Sequence, residues 1–286
     1  MWAMYGPGIV AKTLSKTNVK DKYGNLWPYH PRSDHHSKLA CWVVLFDLLR
    51  SCALLRMHAA ESKVGFGINH EIVDFKQNRE KYFDFVVCTP RATDVRSVGI
   101  RFRDLPAEYQ IVLGEAQRRD LASLPDLMNT PVGSVHIAFE AKACMTEHGK
   151  ARPRLYDKLN SSHLTIHGSS DVAIAAAFVM VNAARTFISP DRNKRKLGKS
   201  QPTITEHKQP YVTERVIEKI REIPRRSAVG ETGFDAVGIV VIDAENDGTP
   251  VRIVETDPAP RPGDIDHYDS MVRRIAQSYE ARFSRI

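Results

Sequence analysis

Residues 135–144, VHIAFEAKAC, make an apolar run of strand length, yet Glu140 and Lys142 interrupt it at alternate positions. The period of two along a strand puts both side chains on one face, about 7 Å apart along the chain. A lone charge there would cost several kcal/mol to bury, so the pair must reach a partner, an ion or a solvent-filled cleft. The next segment, RPRLYDKLNSSHLTIHG, predicts a helix, and SSDVAIAAAFVMVNAA predicts a central strand whose small side chains pack closely on a helix. Strand, helix and strand in that order predict an α/β crossover.

The flanking sequence fits one large domain spanning 1–286. Residues 1–33, rich in Gly, Pro and aromatic residues, read as an irregular arm, and Ser33 or Asp34 is placed to cap a following helix. That helix lies in SKLACWVVLFDLLRSCALLRMHAAE, where Leu39, Trp42, Val43, Phe46, Leu49, Leu54 and Leu55 largely follow helical spacing. A buried strand opens at Asp84 in DFVVCTP and stops at Pro90. Residues 91–131 read as a mostly polar, helical insertion between two core strands. Beyond the crossover come a basic surface loop over 188–210, an amphipathic helix in YVTERVIEKIREIPRR, strands in FDAVGIVVIDAENDG and VRIVETDP, and a terminal helix over 264–286.

Composition sets the outer limits. The formal charge of +7 suits a polyanionic partner. Four widely spaced cysteines without a CxxC pair point away from a zinc ribbon or a disulfide-dense secreted module, and towards a reduced cytoplasm. No segment reaches the roughly 18 apolar residues of a membrane span, so a soluble chain without a membrane partner is expected. There is no GxxxxGK[ST] loop, hence no expected nucleotide cofactor. The SDHHS stretch at 33–37 precedes a helix instead of following a buried strand, so helix capping explains it better than a metal site.

If the strand opened by Asp84 neighbours the one carrying Glu140, the two carboxylates can share one divalent ion. Lys142 is then placed to orient or polarise a water for attack on a phosphodiester. Magnesium favours such hard oxygen ligands and keeps several waters, leaving room for a phosphate oxygen and a nucleophile.

Asp84, Glu140, Ala141 and Lys142 resemble the D…(D/E)xK signature of the PD-(D/E)xK nuclease superfamily, with Phe83 where the family name has Pro. The resemblance implies a restriction endonuclease-like α/β fold, a central mixed sheet flanked by helices. It also implies a magnesium-dependent site with Asp84 and Glu140 as metal ligands and Lys142 as catalytic amine, together with cleavage of double-stranded DNA by a homodimeric type II restriction enzyme. In that family a Glu from a helix before the first catalytic strand sometimes joins the metal, and Glu71 fits that placement best. Lys150, Arg152, Arg154 and Lys158 follow the catalytic strand and are candidates for phosphate contacts, and Asn160, with Ser161 and His163, is a candidate DNA contact. Arg192, Lys194, Arg195 and Lys196, with Asn193 and Lys199, form the densest positive stretch and a candidate backbone-contact loop. A repair or modification-dependent nuclease of the same fold, and a catalytically silent nucleic-acid-binding protein, stay open as alternatives.

Overall fold

The computed structural model describes residues 4–91, 99–198 and 200–286. Its centre is a six-stranded mixed sheet built from β3 (Gly65–Asp74), β4 (Arg79–Pro90), β5 (Val132–Cys144), β6 (Ile174–Asn182), β9 (Ala236–Asp243) and β10 (Arg252–Ile253). The strand order is β10-β9-β6-β5-β4-β3. β5, β6 and β9 are mutually parallel, whereas β4 runs antiparallel to β5 and to β3, and β10 antiparallel to β9. Every residue of β6 is buried, as its uncharged run of small and branched side chains requires of a strand covered on both faces.

Helices cover both faces of the sheet. On one side α2 (His35–Ser51) and α8 (Tyr268–Arg282) pack on Ile137, Phe139, Ala176 and Phe178. On the other, α6 (His148–Ser169) and α7 (Tyr211–Arg221) pack through Leu155, Leu159, Val216 and Ile220 on Ala138, Ala175, Val179 and Val237. α6 is the crossover between β5 and β6. All four cysteines are buried thiols.

Several stretches differ from the sequence expectation. The strand expected to open at Asp84 begins at Arg79, because its polar first half pairs with β3, a strand the sequence pattern did not predict. The arm is not wholly irregular: it holds α1 (Gly6–Leu14) and a short ladder of β1 (Val19–Lys20) with β2 (Leu26–Trp27). α1 is held from a distance, because buried Asp47 of α2 accepts the backbone N–H groups of Tyr5 and Gly6, at 3.0 and 2.7 Å, and the Tyr268 hydroxyl at 3.0 Å. Between β4 and β5 the helical content is limited to α4 (Leu105–Glu108) and α5 (Glu115–Ser123), and residues 92–98 lie outside the described residues. The strand expected in VRIVETDP shrinks to the two residues of β10. The chain also contains α3 (Ala53–Ala60), the short pair β7 (Thr186–Phe187) with β8 (Thr205–Glu206), and a 3-10 turn at Pro190–Arg192 between them.

Among the described residues no helix is long and apolar enough to cross a membrane.

Candidate functional site

The two acids of the sequence motif lie at a break in the sheet. Pairing of β4 with β5 ends at Phe85 opposite Phe139, so one step further Asp84 faces Glu140 where the strands part. The β3–β4 ladder also skips Asp84: Ile68 pairs with Phe85 and His70 with Phe83, while Asn69 between them adopts a left-handed conformation, φ 49°. Left-handed backbone in a strand kinks it. The kink is visible in the packing, since Phe85 faces the α2 side and Phe83, two residues earlier, sits with Ile72 in the α6 side of the core.

At this fork the groups freed from ladder bonding find other partners. The Ala141 N–H donates to Asp84 Oδ2 at 3.3 Å. Glu140 is 1% exposed, and its Oε1 is ion-paired directly with the Lys142 ammonium. Its Oε2 is buried with no hydrogen-bond partner among the described residues. Burial opposes the charge on Lys142, but Glu140 and Asp84 outweigh it and raise the amine above its ordinary value, so Lys142 is a cation at neutral pH.

Two residues that the sequence motif does not include adjoin these three. Lys81, on β4, places Nζ 3.8 Å from Glu140 Oε1 and donates to the Lys158 carbonyl at 2.7 Å and to the Ser162 hydroxyl, both on α6. Burial lowers its amine from the ordinary value; attraction by Glu140 opposes that shift, and the neighbouring Lys142 and Lys158 charges reinforce it. His36, in the first turn of α2, has a buried Nδ1 without a partner among the described residues. Burial pushes its imidazole down to about 4, and the charges of Asp84 and Lys142 both act on it. The SDHHS stretch therefore does more than begin a helix, since one of its histidines, packed against Tyr29, lies close enough to feel the charges of the fork. At the helix start itself, the Ser33 hydroxyl accepts the His35 N–H at 3.1 Å.

Glu71 is not on a helix. It lies on β3 opposite Tyr82, exposed, and accepts the Tyr82 hydroxyl, so it is not brought to the pair of acids. Among the described residues no group of three or more His, Cys, Asp or Glu side chains is placed to share an ion. Among the described residues the fork therefore offers Asp84 and Glu140 without a third acid, histidine or cysteine. Two carboxylates, one with a buried unpartnered oxygen, fit a hard divalent cation that keeps much of its own water.

The basic candidates divide. On α6, Lys150, Arg154 and Lys158 are exposed at successive intervals of four residues and so share one helix face, while Arg152 is half-buried. Lys150 pairs with Glu147 at 3.3 Å. Asn160 is half-buried and its Oδ1 lies 3.0 Å from Nε2 of buried His163, whose ring packs edge-on against Phe234. In the loop after β7, Arg195 is committed to the loop itself through Ser200 and the Gln201 carbonyl, and Arg192 reaches Thr205 Oγ1 at 3.4 Å. Lys194 and Lys196 are exposed, and Lys199 lies outside the described residues. Lys194 also lines a cleft of about 380 Å³ with Lys20, Lys22, His30 and Arg32 of the arm and with the acids Asp21 and Asp191, the latter ion-paired to Arg32 at 3.1 Å. A cleft of about 530 Å³ lies at the other side of the sheet, between β9, β10 and α8, without the acids of the fork.

Compared with protein-family models, curated proteins and solved structures, the chain matches none.

Proposed function

We propose that the protein is a magnesium-dependent, sequence-specific endonuclease of double-stranded DNA, with a restriction endonuclease-like fold and a homodimeric, type II mode of action. The observation that carries the reading is the fork itself: Asp84 and Glu140 opposed where two strands part, with Lys142 ion-paired beside them and one Glu140 oxygen left without a partner among the described residues. A structural ion pair alone does not call for a second carboxylate across a broken ladder or for an orphaned buried oxygen.

In this reading Asp84 and Glu140 would hold the ion, which would supply acidification of a water and neutralisation of charge developing on phosphorus. Lys142, held charged by the two acids, lies where negative charge grows as the phosphodiester is attacked and stabilises it. The exposed face of α6 bearing Lys150, Arg154 and Lys158 begins directly after the catalytic strand and contacts flanking phosphates, which fix the register of the duplex without reading its sequence. A two-fold dimer places one fork on each strand of a palindromic target.

The test is incubation of the purified chain with several plasmid DNAs in magnesium, with EDTA as control, and mapping of the ends. Discrete fragments that require the metal and vanish in Glu140→Gln support the assignment. Metal-independent DNA binding without cutting on any substrate overturns it in favour of a catalytically silent binding protein.

A further inference from the structure

Two amines, not one, surround Glu140, and the second is held from outside the strand pair. Lys81 sits three residues before Asp84, and its ammonium is tethered to α6 by the Lys158 carbonyl and the Ser162 hydroxyl. Both acceptors are neutral. The distance of 3.8 Å to Glu140 Oε1 exceeds hydrogen-bond range, so its attraction to the acid is coulombic. Lys142, by contrast, belongs to the same strand as Glu140 and pairs with it directly. Asp84 and Glu140 bring two negative charges to the fork, and Lys81 and Lys142 bring two positive ones.

We propose that Lys81 is a positioning residue that acts as the resident counter-cation of Glu140, held by α6 where it competes with a divalent ion and so sets the ion affinity of the site. The inference rests on the ion site of the proposed nuclease. An ion entering between Asp84 and Glu140 meets Lys142, whose stem is carried on β5 and whose only other acceptor among the described residues is the Ala141 carbonyl, at 3.2 Å. It also meets Lys81, which would have to leave two hydrogen bonds to move away. Repulsion from Lys81 is therefore retained when the ion binds. Removing that charge while keeping the aliphatic stem, as in Lys81→Met, relieves the repulsion and leaves both carboxylates in place. Lys81→Arg keeps it.

The experiment is calorimetric titration of the full chain with Mn²⁺ near neutral pH, for the wild type, Lys81→Met, Lys81→Arg and Glu140→Gln. The expected result is ion binding at least roughly tenfold tighter in Lys81→Met, an affinity within about twofold of wild type in Lys81→Arg, and none in Glu140→Gln. Binding that appears only in Lys81→Met supports the proposal equally, because the wild-type lysine then masks the site. Equal or weaker binding by a folded Lys81→Met overturns it, as does the absence of ion binding in every variant. Should Lys81→Met not fold, Ser162→Ala loosens the tether instead, and binding no tighter than wild type overturns the proposal. Tighter ion binding without any DNA cleavage removes the nuclease reading and leaves the role of Lys81 standing; cleavage with unchanged ion affinity in Lys81→Met removes the role of Lys81 alone.

Discussion

Asp84 faces Glu140 one step beyond the last paired rung of β4 and β5, and the ladder between β4 and β3 skips it as well. An acid at an ordinary rung would be flanked by continuous backbone pairing; here the Asp84 carboxylate itself accepts the Ala141 N–H. Asp84→Asn keeps that hydrogen-bonded shape and removes one negative charge. It is expected to lower DNA cleavage by roughly 1,000-fold, the scale of several kcal/mol of lost charge stabilisation, with a melting temperature close to wild type. Cleavage rates paired with thermal melts check this, and a fall in activity accompanied by unfolding would assign Asp84 to the architecture instead.

Lys142 is expected to act on the reaction and little on DNA binding. Lys142→Met should reduce kcat by roughly 100-fold or more, while affinity for DNA, measured with Ca²⁺ in place of Mg²⁺, changes by less than about threefold. A matching loss in both would make Lys142 a binding residue.

The candidate acids and the crossover are legible in the sequence to different degrees, for reasons visible in particular residues. Glu140 and Lys142 stand out because the period of two is local and their strand is otherwise apolar. β6 and α6 follow from patterns contained within single segments. That Asp84 is the acid opposite Glu140 depends on where the chain returns after residues 91–131, which no local pattern encodes. Lys81 is hidden more deeply. Strand alternation puts positions 81 and 84 on opposite faces, and the break in alternation between Phe83 and Phe85, beside left-handed Asn69 of β3, leaves Lys81 and Phe83 on the α6 side. α1 escapes a local reading because its Gly6-Pro7-Gly8 start has the composition of a loop, while its first N–H groups are satisfied by Asp47, 41 residues further along. Gly6 is itself required there, since a Cβ would overlap the Tyr268 hydroxyl.

The exposed face of α6 is expected to carry salt-dependent affinity. Replacing Arg154 or Lys158 by Gln should weaken binding to all duplexes alike and lower the slope of log affinity against log salt by about 0.9 for each phosphate no longer neutralised. Asn160→Ala should leave that slope unchanged and cost on the order of 1 kcal/mol of stability, because it removes the partner of buried His163. Fluorescence anisotropy at several salt concentrations, with urea unfolding of each variant, separates the two effects.

Stability is expected to fall on mild acidification, ahead of any general acid unfolding. Burial pushes His136, His148 and His163 each down to about 4, from an ordinary value of 6.5. Burial is what keeps these rings neutral: His136 lies 2.7 Å from Thr89 Oγ1, and His148 donates to the Asn182 carbonyl at 2.8 Å, a bond that by itself favours the protonated ring and is outweighed by burial. The unfolded chain takes up these protons as pH drops through 6.5, whereas the folded chain does not until about 4, so the unfolded state is favoured across that window. Above the window both states are neutral and the stability is fully present. The loss should be on the order of 1–2 kcal/mol per histidine between roughly pH 7 and pH 5, and burial of Asp47, which raises its carboxyl, offsets a small part of it. Urea midpoints measured at the two pH values check the sign. His136→Gln, which keeps a hydrogen-bonding group beside Thr89 without a titrating ring, should shrink the difference by about one histidine's share; an unchanged difference would mean that His136 is already protonated in the folded protein.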